Sequence, residues 1–212
     1  MNVLIRIEEE RDHSRVEELA REAFWNLYRP GCDEHYVVHT MKTHPDFIKD
    51  LDYVTEIDGK IVGSIMYTKS HIFNENNEKI ETATFGPLCV HPEFQRKGIG
   101  TRLIEYTKTL VQEKQYPAII ILGDPHNYCK HGFLNGKDYN VSTIDGKYPL
   151  GLLVLELQKG VFDNHRWRFT ESNVYEIDQN NVDEYDKRFS VKEKKHTYTQ
   201  DIFSILIRSF LE

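Results

Sequence analysis

The chain has 212 residues, 39% of them hydrophobic and 12% aromatic, and a formal net charge of −7. That length and apolar content fit one ordinary folded domain with room for an appendage and exclude a disordered chain. The acidic balance argues against nucleic acid as the main partner and would attract cationic amines.

Val3, Ile5 and Ile7 alternate with polar residues and predict a first strand. The residues after them turn acidic at Glu8, Glu9 and Glu10, too early for a signal-peptide core. No apolar run approaches the roughly 20 residues of a membrane span. Three scattered cysteines, Cys32, Cys89 and Cys129, fit reduced thiols, so a cytoplasmic protein without a membrane partner is expected. Asp12 or Ser14 is placed to cap a helix with apolar positions Val16, Leu19, Ala20, Ala23, Phe24 and Leu27. Pro30-Gly31 ends it, and residues 33–42 predict a shorter helix. His35 and His39 lie one helical turn apart, with His44 beyond. No acidic or cysteine ligand completes a known spacing, and no metal is expected.

Residues 53–57 and 61–67 flank Asp58-Gly59, a strong hairpin signal. Residues 74–77 turn the chain into a strand that ends in Leu88-Cys89-Val90. Pro87 within it cannot donate to a ladder and marks an edge or a bulge. Ile99, Leu103, Tyr106, Thr107, Leu110 and Val111 recur at helical spacing, so a helix starts near Gly98. Residues 118–122 are a short apolar strand, completing a parallel strand–helix–strand crossover. Asp124-Pro125 opens a brief helix that ends at Gly132. Residues 133–144 and 150–157, around Asp145-Gly146, predict the last two core strands. Beyond residue 160, residues 166–177 are expected to add a strand or hairpin, and residues 187–195 to form a charged, solvated connector. Asp201 is placed to cap a final helix with Phe203, Leu206, Ile207, Phe210 and Leu211 on one face. That stripe predicts packing on the chain's own core, with a homodimer contact as the alternative.

The turn between the strand ending at Val90 and the helix near Gly98 carries the chemistry. The first N–H groups of a helix lack internal partners and sit at the positive end of its dipole, where a phosphate binds. Gly98 and Gly100 let a ligand approach that backbone. The spacing Gln95-x-x-Gly98-x-Gly100 resembles the pyrophosphate loop of the GNAT N-acetyltransferase superfamily, Gln/Arg-x-x-Gly-x-Gly/Ala. The order of elements from about residue 4 to residue 157 is also similar. The resemblance implies an α+β fold: a mixed, mostly antiparallel central sheet, a β–α–β acetyl-CoA-binding core and flanking helices. It implies a domain over residues 1–159 and a C-terminal extension over 160–212, packed on the same domain or on a partner subunit.

The resemblance further implies that Gln95, Arg96, Lys97, Gly98, Ile99, Gly100 and Thr101 hold the pyrophosphate, chiefly through backbone N–H groups. The backbone of Leu88, Cys89 and Val90 would pair with the pantetheine arm as an added strand does. A bulge at Pro87 would splay the sheet and free an N–H toward the acetyl oxygen. Asn127-Tyr128-Cys129-Lys130-His131-Gly132-Phe133 resembles the family pattern Tyr-x-x-x-Gly-Phe and places the general acid at Tyr128. One departure is Ile121, where many relatives carry an asparagine that contacts CoA; Gly123-Asp124-Pro125 resembles one bacterial subgroup, and a role for Asn127 stays open. The base is unassigned among Glu81, Asp124 and water. The expected activity is acetyl transfer from acetyl-CoA to a primary amine, small or peptide-borne, by direct attack. The alternative is a non-catalytic CoA-binding sensor or interaction module.

Overall fold

The computed structural model describes residues 3–212. Its main sheet begins with β1 (Val3–Ile7), β2 (Tyr53–Ile57), β3 (Lys60–Phe73) and β4 (Lys79–Val90), all antiparallel neighbours. It continues through β5 (Ala118–Leu122), parallel to β4, to β9 (Leu152–Glu156) and β6 (Leu134–Asn135). The fold is α+β with a mixed, mostly antiparallel sheet, as expected.

Alternation of side chains along each strand sends apolar residues to both faces of the sheet. On β3, Met66 faces α1 (His13–Phe24) and α2 (Glu34–Met41), joining Val16, Leu19, Val38 and Met41. Its neighbours Ile65 and Tyr67 face α3 (Ile99–Glu113), joining Ile99, Leu103, Phe85 and Ile119. The β2–β3 turn has φ +49° at Asp58 and +80° at Gly59, the paired left-handed geometry that an Asp-Gly hairpin supplies. Gly63 sets how close α3 comes: a Cβ there would lie 2.8 Å from Ile99 Cγ2. The start of α3 is therefore seated directly on the sheet.

Several sequence expectations are corrected. Asp12 occupies the N-cap of α1 as expected but its side chain makes no cap bond; it accepts the Glu9 N–H at 2.9 Å and binds Arg6 at 2.5 Å. Leu27 lies past the end of α1. Residues 133–144 are not one strand. After β6, Gly136–Tyr139 turn as a 3-10 segment before the two-residue β7 (Val141–Ser142), because the left-handed Asn140 (φ +54°) breaks the extension. A further two-residue strand, β8 (Tyr148–Pro149), precedes β9.

The extension is part of the sheet. β10 (Trp167–Thr170) pairs antiparallel with the far half of β3 and parallel with β7. A helix with no sequence expectation, α5 (Gln179–Asp186), follows, and its Asp186 takes Arg21 of α1 at 2.7 Å. Residues 187–195 are tethered rather than simply solvated: the Glu193 carbonyl accepts from Trp25 and Asn26, both at 3.0 Å. The final helix, α6 (Tyr198–Leu206), has Thr197 at its N-cap, and Asp201 lies inside it. The stripe packs only in part: Phe203 and Leu206 are half-buried, with Phe203 stacked on Tyr28, whereas Ile207 is 54% exposed. Phe210–Leu211 form β11, paired with β8, and both side chains remain exposed. Among the described residues, no helix is long and apolar enough to cross a membrane.

One buried charge cluster joins β1, α2 and the entry to β2. Lys42 Nζ lies 2.6 Å from both Glu8 and Asp52. Burial, then the Asp52 charge, pushes Glu8 up to about 8 against the pull of Lys42. A carboxyl with a raised folded value binds a proton the unfolded chain has released. Its contribution is complete below the ordinary value of 4.5 and lost as pH rises through about 8. Urea midpoints across that window should fall with rising pH in the parent protein, and Glu8→Gln should flatten the decline.

Candidate functional site

β4 is paired along one edge and almost bare along the other. Toward β3, Ile65 faces Leu88 and Tyr67 faces Phe85, so two steps on β3 match three on β4, and Gly86-Pro87 form the expected bulge. Toward β5, the only register pair is Ala83 with Ile119. Thr84 Oγ1 then donates to the Ile120 carbonyl at 2.7 Å, and β5 continues along β9. The strands part there, leaving the edge from Phe85 to Val90 without a ladder on that side. An exposed edge of this kind accepts an extended ligand. Leu88 and Val90 are half-buried on the α3 side. The Cys89 side chain is fully buried on the α1–α2 side, so Cys89 offers the slot only its backbone.

The loop after β4 leads to the start of α3. Gln95 Nε2 donates to the Val90 carbonyl at 3.1 Å and Lys97 Nζ to the Glu93 carbonyl at 2.8 Å, folding the loop onto the strand end. Left-handed φ values at Arg96 (+58°) and Gly98 (+80°) curl the backbone, and such curls gather N–H groups into an anion-binding concavity. Arg102 N–H to Gly98 carbonyl, 3.0 Å, starts the helical bonding. The N–H groups of residues 96–101 have no acceptor among the described residues. A Cβ on Gly98 would meet nothing within 4 Å; one on Gly100 would touch only Val90 at 3.7 Å and Leu88 at 3.9 Å. The donors and the space both fit a pyrophosphate.

Tyr128 closes α4 (Pro125–Tyr128), whose N-cap Asp124 accepts the His126 N–H at 3.0 Å. The ring packs 5.6 Å from Phe85 and 6.1 Å from Phe133. It also lies over Gly123, where a Cβ would fall 2.6 Å from Tyr128 Cε2. Tyr128 therefore faces the bulge of β4 across the opening. Burial raises its phenol well above the usual range, and Tyr28, Cys89 and Asp124 add to the rise. It is protonated throughout the neutral range.

The other sequence candidates separate. Glu81 precedes the Ala83–Ile119 pair and lies 3.6 Å from Lys69 and 3.7 Å from His71, away from the opening. Asn127 is exposed on α4. His35, His39 and His44 take separate partners: Asp186, Glu17 and Asn173. Sequence reasoning missed Tyr175, whose hydroxyl donates to the Gly86 carbonyl at 3.0 Å and so holds the bulge from the extension. Nothing local in the sequence marks it, because folding alone brings it to the bulge.

A central sheet opened between two parallel strands, beside a glycine-opened helix N-terminus, is the GNAT-type α+β fold. Residues 51–134 match the family described as "Acetyltransferase (GNAT) domain". Over those residues the chain is similar to GNAT N-acetyltransferases. It is 30% identical over 83 residues to "Uncharacterized N-acetyltransferase YjhQ" of Escherichia coli (strain K12), a match covering 39% of this chain and 45% of that protein. It is 25% identical over 146 residues to "Probable hydrolase YhcX" of Bacillus subtilis (strain 168), covering 61% of this chain and 27% of that one. The chain thus spans less than half the length of both curated relatives. The crystal structure of the GNAT family N-acetyltransferase YhbS from Escherichia coli in complex with CoA shares the fold. Its TM-score is 0.72 at 18% identity, covering 84% of this chain and 93% of that one.

Proposed function

We propose that the protein is a cytoplasmic acetyl-CoA-dependent N-acyltransferase that acetylates a primary amine by direct attack. The observation that carries this reading is the single β4–β5 pair, which leaves a bare strand edge leading to a loop of unpaired N–H groups. The CoA complex of the similarly folded YhbS supports it. On this reading residues 95–101 hold the pyrophosphate, chiefly through the N–H groups of residues 96–101, and the backbone of Leu88, Cys89 and Val90 pairs with the pantetheine arm. An N–H at the Gly86-Pro87 bulge region faces the thioester oxygen, where charge grows during attack. Tyr128 gives its proton to the departing sulfur. Residues 160–212 act as an extension of this one domain, a view supported by the pairing of β10 with β3.

Titration calorimetry with acetyl-CoA, followed by thiol release in the presence of a panel of primary amines, tests the reading. Saturable binding with amine-dependent release of CoA is expected. Binding with no release across the panel would favour a sensor, and no binding would remove the reading.

A further inference from the structure

The direction of each N–H along the end of β4 follows from one bond. The His91 N–H donates to the Val62 carbonyl of β3 at 2.9 Å. Peptide groups of successive residues on an antiparallel strand point to opposite sides. The Cys89 N–H therefore turns toward β3, as that of His91 does, and those of Leu88 and Val90 turn toward the open edge. The Val90 carbonyl agrees, since it accepts from Gln95 at 3.1 Å rather than from β3. Pro87 has no N–H, so the Leu88 N–H is the donor that enters the slot just after the bulge.

The peptide before it sets the angle of that N–H. Ile65–Leu88 and Tyr67–Phe85 are register pairs, so Gly86 and Pro87 have no partner residue on β3. The Gly86 carbonyl instead accepts from the Tyr175 hydroxyl at 3.0 Å, and Thr68 Oγ1 lies 3.3 Å from the same hydroxyl. Between that carbonyl and the Leu88 N–H stand planar peptide groups and a proline φ locked by its ring. Only one soft torsion, ψ of Pro87, is left. A hold on the Gly86 carbonyl is thus nearly a hold on the Leu88 N–H.

Tyr175 is itself firmly delivered. It ends the turn Asn173–Tyr175 of the extension, whose N-cap Ser172 accepts the Val174 N–H at 3.3 Å and donates to Asp46 at 2.8 Å. His44 Nδ1 accepts the Asp46 N–H at 3.2 Å, which leaves the Nε2 proton to bond Asn173 Oδ1 at 2.8 Å. Val174 is buried in one cluster with Met66 and Cys89, and Tyr175 packs against it. Burial raises the Tyr175 phenol well above its usual range, so it remains a donor at neutral pH.

We propose that Tyr175 is a positioning residue for acetyl transfer: from the C-terminal extension it holds the Gly86 carbonyl and thereby aims the Leu88 N–H at the thioester oxygen. This rests on the N-acyltransferase reading above. Charge grows on that oxygen during attack, where an aligned donor has most effect. The extension is then a working part of the active site.

Infrared difference spectra of the full chain with acetyl-CoA, isotopically labelled at its carbonyl carbon, test this without an acceptor amine. A donor aimed at the thioester oxygen lowers the carbonyl stretching frequency, and the parent protein should show that downshift on binding. Tyr175→Phe keeps the ring and should bind acetyl-CoA with the parent's affinity by calorimetry, yet lose most of the downshift. Thr68→Val leaves the bond to Gly86 in place and should retain it. Ser172→Ala keeps the Tyr175 hydroxyl but frees its turn from Asp46, and should lose part of it; this variant decides the matter if the Phe variant does not fold. A folded Tyr175→Phe protein with the parent's downshift overturns the proposal, as does a parent protein that binds acetyl-CoA without any downshift. Binding lost in the Phe variant alone also overturns it, by making Tyr175 a support of the whole slot. A parent protein that does not bind acetyl-CoA removes the underlying reading instead.

Discussion

Gly100→Asp is expected to abolish acetyl-CoA binding and leave the fold intact. The new Cβ meets Val90 and Leu88 only at ordinary contact distance, so the sheet and α3 need not move. The carboxylate would enter the space that the unpaired N–H groups of residues 96–101 face, opposing the phosphates directly. Calorimetric titration should show no heat of binding, while the unfolding midpoint stays near that of the parent. Gly98→Asp should also abolish binding, but its φ of +80° adds a left-handed conformational cost of roughly 1–2 kcal/mol. Gly100 is the cleaner test. Unchanged affinity in both variants would contradict the placement of the pyrophosphate.

Tyr128→Phe should lower kcat by about 10²–10⁴-fold with little change in acetyl-CoA affinity. The substitution removes one oxygen and keeps the ring contacts with Phe85 and Phe133. Because the phenol is raised rather than lowered, it is protonated before the sulfur leaves, and its proton matters only in the transition state. Gly123→Ala offers a second route to the same step. Its Cβ would fall 2.6 Å from Tyr128 Cε2, so the ring must shift while its hydroxyl is retained. Reduced kcat in both variants would tie the rate to the position of that hydroxyl. Full activity in the Phe variant would give the acid role to water or another residue.

The turn, bulge and helix start that build the candidate site were legible because their cues are local. Asp58-Gly59 specifies a turn, the repeat from Ile99 to Val111 specifies α3, and Pro87 within a strand specifies a break in pairing. The long-range contacts around the site were not legible. Tyr28 meets Phe203, and Tyr175 reaches Gly86, across separations that no periodicity encodes. β10 was anticipated only as a strand or hairpin, since its partners on β3 and β7 are chosen by tertiary packing rather than propensity. The apolar stripe on α6 was read as core because its pattern is that of a packed helix. Its exposure follows from anchoring through polar bonds at Thr197, Thr199 and Gln200, with Phe203 the ring that stacks inward on Tyr28.

The interleaving of the sheet separates the unit that can be recognised from the unit that can fold. Residues 51–134 hold the family signature, yet three of their strands finish their ladders on partners outside it. β2 needs β1, β5 needs β9, and the far half of β3 needs β10. A fragment cut to the signature would present three open edges to other copies of itself, together with buried residues such as Ile72, Ile119 and Ile120. Strand-mediated self-association is its natural fate. Grafting, splitting or shuffling this chain therefore succeeds only at boundaries that respect hydrogen-bonded partners, however far apart those partners lie in sequence.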